Sequence, residues 1–133
     1  MTAMTPYLLL PGTARQALES YRDLFGGETE FHTFAEFGRD DGPGEYIAHG
    51  TLGAGPVNLF AADAAPREAS LRTEGLLFAL LGAAEPDELE RWFAVLAEGG
   101  TVVDPLQRRP WGAHDGTVTD RFGVTWLIGY EVD

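Results

Sequence analysis

The stretch "TARQALESYRDLFGG", Thr13 to Gly27, decides the fold because a later stretch, "EPDELERWFAVLAEGG", repeats it. In the first stretch the apolar residues recur with a helical period, Thr13 stands at the start and Gly26 at the end, which predicts a capped helix. The second stretch predicts a helix in the same way. The residues that recur are Leu18, Glu19, Tyr21, Leu24 and Gly26-Gly27, answered by Leu89, Glu90, Trp92, Leu96 and Gly99-Gly100.

Strand patterns surround both helices in the same order. The apolar run "PYLLLPG" precedes the first helix, and the alternating segment Thr29 to Phe37, "YIAHGTL" and "PVNLFAA" follow it. "GLLFALLG" precedes the second helix, and "TVVDPL", "AHDGTVT" and "VTWLIGY" follow it. The repeated order predicts an α+β fold of two tandem βαβββ modules. Its predicted bounds are module 1 at about 5–62, a linker at 63–74 and module 2 at about 75–131, within a single domain 1–133.

The duplication also predicts where a ligand binds. One helix can cover only one face of a small sheet, so two modules bury their bare faces by turning them toward each other. We therefore expect a curled mixed sheet around a central cleft, with the helices on the outside. Such a hollow is the natural position for a small-molecule site.

Composition limits the partners. Nine basic residues, all arginine, stand against 21 acidic ones, for a net charge of −12. This charge argues against nucleic acid and anionic membranes and favours a neutral or cationic small molecule. The absence of cysteine excludes disulfides and thiolate chemistry. The short apolar run near the N-terminus has no basic residue before it and does not match a signal peptide, so we predict a cytoplasmic protein.

Three segments together resemble a known family. They are "PYLLLPGTARQALESYRDLFGG" at the start, "YIAHGTLGAGPVNLFAADA" before the linker and "WGAHDGTVTDRFGVTWLIGY" at the end. This chain resembles the vicinal oxygen chelate superfamily of glyoxalase I, bleomycin-resistance proteins and extradiol dioxygenases. Its "IAH" and "VTDRFGVTW" motifs are most similar to the PhnB-like branch. The superfamily places lyases, isomerases, thiol transferases, dioxygenases and non-catalytic drug binders on one scaffold, so the resemblance does not fix a reaction.

The resemblance also implies where a metal would be held. Metal-using members bind a divalent ion with His, Glu or Gln side chains from the first and last strands of each module. The corresponding positions here are Pro6, Leu59 or its neighbour, Leu76 and Leu127. Their side chains carry no metal donor, and the amide of Asn58 alone is a poor anchor. We therefore predict no metal and no cofactor.

The predicted ligand contacts are His49, Asn58, Phe60, Phe78 and Trp111. Phe60 and Phe78 lie on strands that would line the cleft, although a one-residue change of register reverses their facing. Trp111 lies in a loop and suits either a ligand lid or dimer packing. His49 and His114 occupy matching strands, and each is either a base or metal ligand, or a histidine that satisfies a backbone carbonyl.

Other prominent residues have structural interpretations. Asp120, three residues before Gly123, is typical of a turn in which the carboxylate caps its own backbone. Trp92 and Trp126 are predicted core residues, and His32 is predicted to be structural or at the surface. Arg108 and Arg109 are interpreted as a solvated pair.

The favoured function is a homodimeric, metal-free protein that binds a small molecule in an apolar cleft. The alternative is a divalent-metal-dependent lyase, isomerase or dioxygenase that recruits His49, His114 and Glu45 or Glu36. A third possibility is a dimeric scaffold whose hollow is packed solid by Leu76, Leu127 and Phe78.

Overall fold

The computed structural model describes residues 3–131, so the first and last two residues of the predicted 1–133 domain lie outside the described part. The chain divides into two compact units between Leu71 and Arg72, inside the predicted linker. Unit 1 contains β1 (Tyr7–Leu10), α1 (Ala14–Phe25), β2 (Glu28–Thr33), β3 (Ile47–Gly53) and β4 (Leu59–Asp63). Unit 2 contains β5 (Phe78–Leu81), α2 (Pro86–Ala97), β6 (Thr101–Arg108), β7 (Ala113–Thr119) and β8 (Thr125–Glu131). The predicted α+β class and tandem βαβββ modules are confirmed.

Both units have the same sheet topology. Their strand orders are β1-β4-β3-β2 and β5-β8-β7-β6, and the first strand of each unit runs parallel to the last. The remaining neighbours are antiparallel. Each sheet is therefore mixed. In chain order, one helix lies between the first and second strands of each unit. In the described part of the chain, α1 and α2 have 12 residues each, and neither is long and apolar enough to cross a membrane.

In each unit the helix packs on one face of the sheet, here called the covered face; the opposite side is the open face. Alternation along β1 places Leu8 and Leu10 on the covered face of unit 1, where both are buried. In unit 2, Leu80 and Ile128 are paired on the covered face in the same way. Burial of these side chains against the helices forms the core of each unit.

The start of α1 is capped from a distant strand. Thr13 occupies the N-cap position as predicted, but its side chain makes no capping hydrogen bond. The carboxylate of Asp63 at the end of β4 instead accepts a hydrogen bond of 2.9 Å from the backbone N–H of Ala14 and one of 2.8 Å from that of Ile47. Asp63 is buried, so these charge-assisted bonds satisfy a carboxylate removed from water and join the helix to two strands.

The second strand is shorter than predicted. Alternation predicts a strand to Phe37, but β2 ends at Thr33. The Thr33 hydroxyl accepts a hydrogen bond from the backbone N–H of Glu36, and the chain turns there. Phe34 is fully buried. Because Phe34 is buried in the core, the alternation of polar and apolar residues does not continue as a strand. The predicted strand was therefore wrong beyond Thr33.

The matching histidines do not occupy equivalent positions. Gly50 pairs with Ala61 and Gly116 pairs with Ile128, which makes the two glycines equivalent on the covered faces. Gly50 adjoins the α1 side chain of Leu18, so a Cβ there would lie 3.0 Å from it. His49 immediately precedes Gly50, whereas Asp115 separates His114 from Gly116. His49 therefore lies on the open face of unit 1, and His114 lies on the covered face of unit 2.

Asp120 is confirmed as a turn residue. Its Oδ1 accepts hydrogen bonds from the backbone N–H groups of Phe122 (2.9 Å) and Val124 (3.1 Å), and Oδ2 accepts one of 2.9 Å from the indole of Trp126. Gly123 has a φ of 88°, which closes the turn in the left-handed region. Trp126 and Trp92 are both 1% exposed, which confirms them as core residues.

Replacement of Asp120 by asparagine is expected to destabilise the protein by about 2 kcal/mol. The single amide oxygen of asparagine cannot accept hydrogen bonds from both the backbone of the turn and the indole of Trp126. The amide NH₂ would then face an N–H donor with no acceptor between them. Urea unfolding followed by tryptophan fluorescence measures the change. Asp40→Asn in an exposed loop is the matched control, and equal midpoints for both variants would contradict this role of Asp120.

Candidate functional site

The open face of unit 1 carries a row of four paired residues from its four strands. Tyr7 pairs with Phe60, Phe60 with Thr51, and Thr51 with Glu30. Paired residues point to the same side of a sheet, so the row runs from aromatic side chains at the β1 edge to a carboxylate at the β2 edge. The open face is therefore apolar on one side and acidic on the other.

Three aromatic rings meet on the apolar side. Ring centroids are 5.6 Å apart for Tyr7 and His49, 6.0 Å for Tyr7 and Phe60, and 5.3 Å for His49 and Phe60. The Tyr7 hydroxyl reaches across β4 to a hydrogen bond of 2.9 Å with Nδ1 of His49. Partial burial raises the pKa of Tyr7 above its ordinary value, an effect that Arg39 partly opposes. These three residues, here called the aromatic triad, thus form a partly exposed surface on the β1 side of the open face.

The acidic side of the open face is organised around His32. This histidine pairs with His49 across β2 and β3. Its Nε2 lies 3.2 Å from Oε1 of Glu30 and its Nδ1 lies 3.2 Å from Oε2 of Glu36, while the Phe37 ring stacks on it at 5.6 Å. His32 is thus a partly exposed residue that positions two carboxylates, which agrees with its predicted structural role.

A groove follows the same face toward the end of the sheet. It has a volume of about 610 Å³, and its walls include Phe60, Asn58, Thr51, Glu28 and Glu30. Asn58 and Phe60, predicted separately as contacts, therefore line one groove, and Phe60 also belongs to the aromatic triad. The sequence prediction did not include Tyr7, although its place one residue before buried Leu8 puts it on the open face.

The two predicted contacts in unit 2 have different surroundings. Phe78 pairs with Trp126, and their rings meet nearly perpendicularly with centroids 5.6 Å apart. Phe78 therefore lies on the covered face and packs with the core. A shift of one residue along β5 would be needed to place it on the open face. Trp111 lies in the turn between β6 and β7 and is 72% exposed.

His114 belongs to a separate cluster on the covered face of unit 2. Its ring stacks on Tyr130 with centroids 4.9 Å apart, and its buried Nδ1 has no hydrogen-bond partner among the described residues. The Tyr130 hydroxyl donates a hydrogen bond of 2.5 Å to Oε1 of Glu90 on α2. This bond, with burial and the charges of Glu90 and Asp87, raises the pKa of Tyr130 to about 12. Glu90 is therefore bound to the sheet and is not simply part of a solvated helix face.

Arg109 is not solvated, contrary to the prediction for the Arg108-Arg109 pair. Its side chain is 18% exposed, and its guanidinium forms ion pairs of 2.6 Å with Asp104 and 2.7 Å with Asp115. These hydrogen bonds raise the pKa of Arg109 further above its usual range. The register irregularities of β6 opposite β7 bring the three side chains together, a contact that sequence spacing does not reveal.

The residues at the implied metal positions do not fit a divalent ion. Leu59 is buried on the covered face, and its open-face neighbour is Phe60. Leu127 lies on the open face of unit 2, and neither phenyl nor alkyl groups donate to metals. Within each unit, the described residues form no group of three His, Asp or Glu side chains that could hold an ion. No chemical step is therefore derived through a metal.

Removal of the Glu90 carboxylate is expected to lower the pKa of Tyr130 from about 12 toward its ordinary value of 10.0. Because the folded pKa is raised, the protonated phenol stabilises the protein below pH 10.0, and this contribution is lost as the pH rises toward about 12. NMR titration of ring-labelled tyrosine in Glu90→Ala, with Glu88→Ala as control, measures the shift. An unchanged Tyr130 titration in Glu90→Ala would contradict the assignment.

Comparison with known proteins finds relatives that are similar in sequence and in structure. The chain is 27% identical over 138 residues to Protein YjdN of Escherichia coli strain K12, with 94% of this chain and 92% of the relative covered. The crystal structure of protein PA1353 from Pseudomonas aeruginosa has 34% identity and a TM-score of 0.81, with complete coverage of both chains. A PhnB protein from Bacillus cereus has 20% identity and a TM-score of 0.82, with 99% of this chain and 100% of that chain covered, and supports the fold alone.

The family model is matched over nearly the whole chain. Residues 4–128 match the Glyoxalase/Bleomycin resistance protein/Dioxygenase superfamily. The matched range contains both βαβββ modules almost completely, together with every residue of the aromatic triad. The resemblance inferred from the sequence motifs is thereby confirmed, and the chain belongs to the Glyoxalase/Bleomycin resistance protein/Dioxygenase superfamily.

Proposed function

We propose that this protein binds a small organic molecule without a metal, through the open face of unit 1. The observation that carries the proposal is the aromatic triad, in which Tyr7, His49 and Phe60 lie within about 6 Å of one another on a partly exposed sheet face. Aromatic surfaces with a few fixed polar groups are typical of small-molecule sites. The Tyr7–His49 pair and the Asn58 amide supply those polar groups.

The remaining predicted contacts have different parts in the proposal. Trp111, in unit 2, is 72% exposed, and it stays a predicted ligand contact with dimer packing as the alternative. Phe78 packs against Trp126, so we assign it to support of the sheet of unit 2. A neutral or cationic ligand suits the charge of the chain, and a cytoplasmic location remains our expectation.

The proposal predicts that aromatic ligands depend on Phe60. Ligand-observed NMR against a panel of neutral and cationic aromatic fragments is expected to yield binders whose Kd rises about tenfold in Phe60→Ala. Phe122→Ala, in a turn of unit 2, is the matched control and should leave the Kd unchanged. Binders that are insensitive to Phe60→Ala would place the site elsewhere, and a panel without binders would overturn the proposal.

Metal titration separates this proposal from the enzymatic alternative. Calorimetry with zinc, nickel, manganese and ferrous ions is expected to show no tight one-site binding, because Phe60 and Leu127 occupy the implied ligand positions. The same titrations are made with the variants His49→Ala and His114→Ala. Stoichiometric binding that either substitution abolishes would instead favour a metal-dependent lyase, isomerase or dioxygenase.

We also propose that the protein forms a homodimer through unit 2. Apolar side chains are exposed at or beside both edge strands of this unit and in the turn before β7, and exposed apolar surface commonly marks interfaces between chains. They are Leu76, Leu77, Leu81, Val102, Val103 and Trp111. Leu81, on the edge strand β5, is 59% exposed.

The dimer proposal predicts a mass of twice 14.4 kDa in sedimentation velocity at micromolar concentration. Leu81→Glu is expected to shift the protein to monomer, because a carboxylate buried in an apolar contact is strongly unfavourable. Glu98→Gln is a surface control that should remain dimeric. A monomeric wild-type protein would contradict the proposal.

A further inference from the structure

We propose that the ligand is an organic cation, with its apolar body on Phe60 and its ammonium group toward Glu28 and Glu30. This inference rests on the proposed function and narrows its ligand class. It concerns the groove of about 610 Å³ on the open face of unit 1, which joins the aromatic triad to the acidic edge of the sheet.

The charge of the groove favours a cation. Glu28 and Glu30 both line it, and none of the described residues in its lining is arginine or histidine. The Glu30 side chain is 73% exposed, and His32 contacts its Oε1. A ligand cation can therefore approach these carboxylates without displacing a basic side chain of the groove.

The Phe60 ring, which forms one wall of the groove, also favours a cation. Phe60 contacts Tyr7 and His49 on one side and lines the groove on the other. A phenyl ring attracts a cation through the negative potential of its face and also packs against an apolar body. An anionic ligand would meet both this face and the carboxylates unfavourably. The arrangement thus selects a molecule that carries positive charge at one end.

The spacing of the row supports this orientation. Phe60, Thr51 and Glu30 are register partners on β4, β3 and β2. Neighbouring strands lie about 4.8 Å apart, so β4 and β2 are about 10 Å apart. A phenyl ring with a two-carbon chain and an ammonium group is long enough to lie across Thr51 between these strands. Glu28, which pairs with Gly53, adds a second carboxylate beside the row.

A charged and a neutral probe of equal size test the inference. We expect 2-phenylethylammonium to bind about fivefold tighter than 2-phenylethanol, as measured by NMR titration of the full chain at low ionic strength. In Glu28→Gln/Glu30→Gln most of this preference should be lost, with the affinity for 2-phenylethanol unchanged, because only the attraction of the Phe60 ring for the cation remains. Glu88→Gln/Glu98→Gln on unit 2 changes the net charge by the same amount and should retain the preference.

The outcomes distinguish the inference from the function on which it rests. Equal binding of the two probes to the wild type, or a preference that is undiminished in Glu28→Gln/Glu30→Gln, would overturn the cationic ligand but leave small-molecule binding intact. Binding of neither probe would overturn both. Phe60→Ala is expected to weaken both probes, because each stacks its ring on that wall.

Discussion

One helix can cover only one face of a four-stranded sheet, and the rest of this structure depends on that constraint. In each unit the covered face collects the large apolar side chains and leaves the opposite face without a helix. Side chains alternate strictly along a strand, so each residue belongs to either the core or the open face. The residues that alternate with the core positions therefore determine which chemical groups the open face of each sheet presents.

The two histidines show how strongly register controls function. The sequences around His49 and His114 look alike, and both lie in the third strand of their unit. The additional residue Asp115 moves His114 to the covered face, where it stacks on Tyr130. A single insertion thus places one histidine on the open face of its sheet and the other on the covered face. The insertion is visible in "AHGTL" against "AHDGTV", but only the strand pairing of Gly50 and Gly116 shows on which face each histidine lies.

Local patterns predicted the fold well because helix periods, turn residues and apolar runs are local properties of the chain. The order of elements and the turn at Asp120 follow from such patterns. The aromatic triad could not be predicted in this way, since Tyr7 and His49 lie on strands separated by β4. The same reason applies to the capping of α1 by Asp63 and to the ion pairs of Arg109. The end of β2 at Thr33 was mispredicted because burial of Phe34 prevails over continued alternation.

The two modules cap the starts of their helices differently. In α2, Pro86 begins the helix and the acidic first turn complements the helix dipole. The first turn of α1 contains no acidic residue, and Asp63 supplies the carboxylate from β4. The equivalent strand position in unit 2 is Tyr130, which binds Glu90.

The open faces differ as well. In unit 2 the charges of Arg109, Asp104 and Asp115 largely satisfy one another, and the adjacent β8 position is the aliphatic Leu127. In unit 1 the structural carboxylate Asp63 is held on the covered face, while Glu28 and Glu30 on the open side stay exposed beside an aromatic surface. The two βαβββ modules thus differ in the chemistry of their open faces. Unit 1 presents charge and aromatic area together, which is the combination that recognition of a small cation requires.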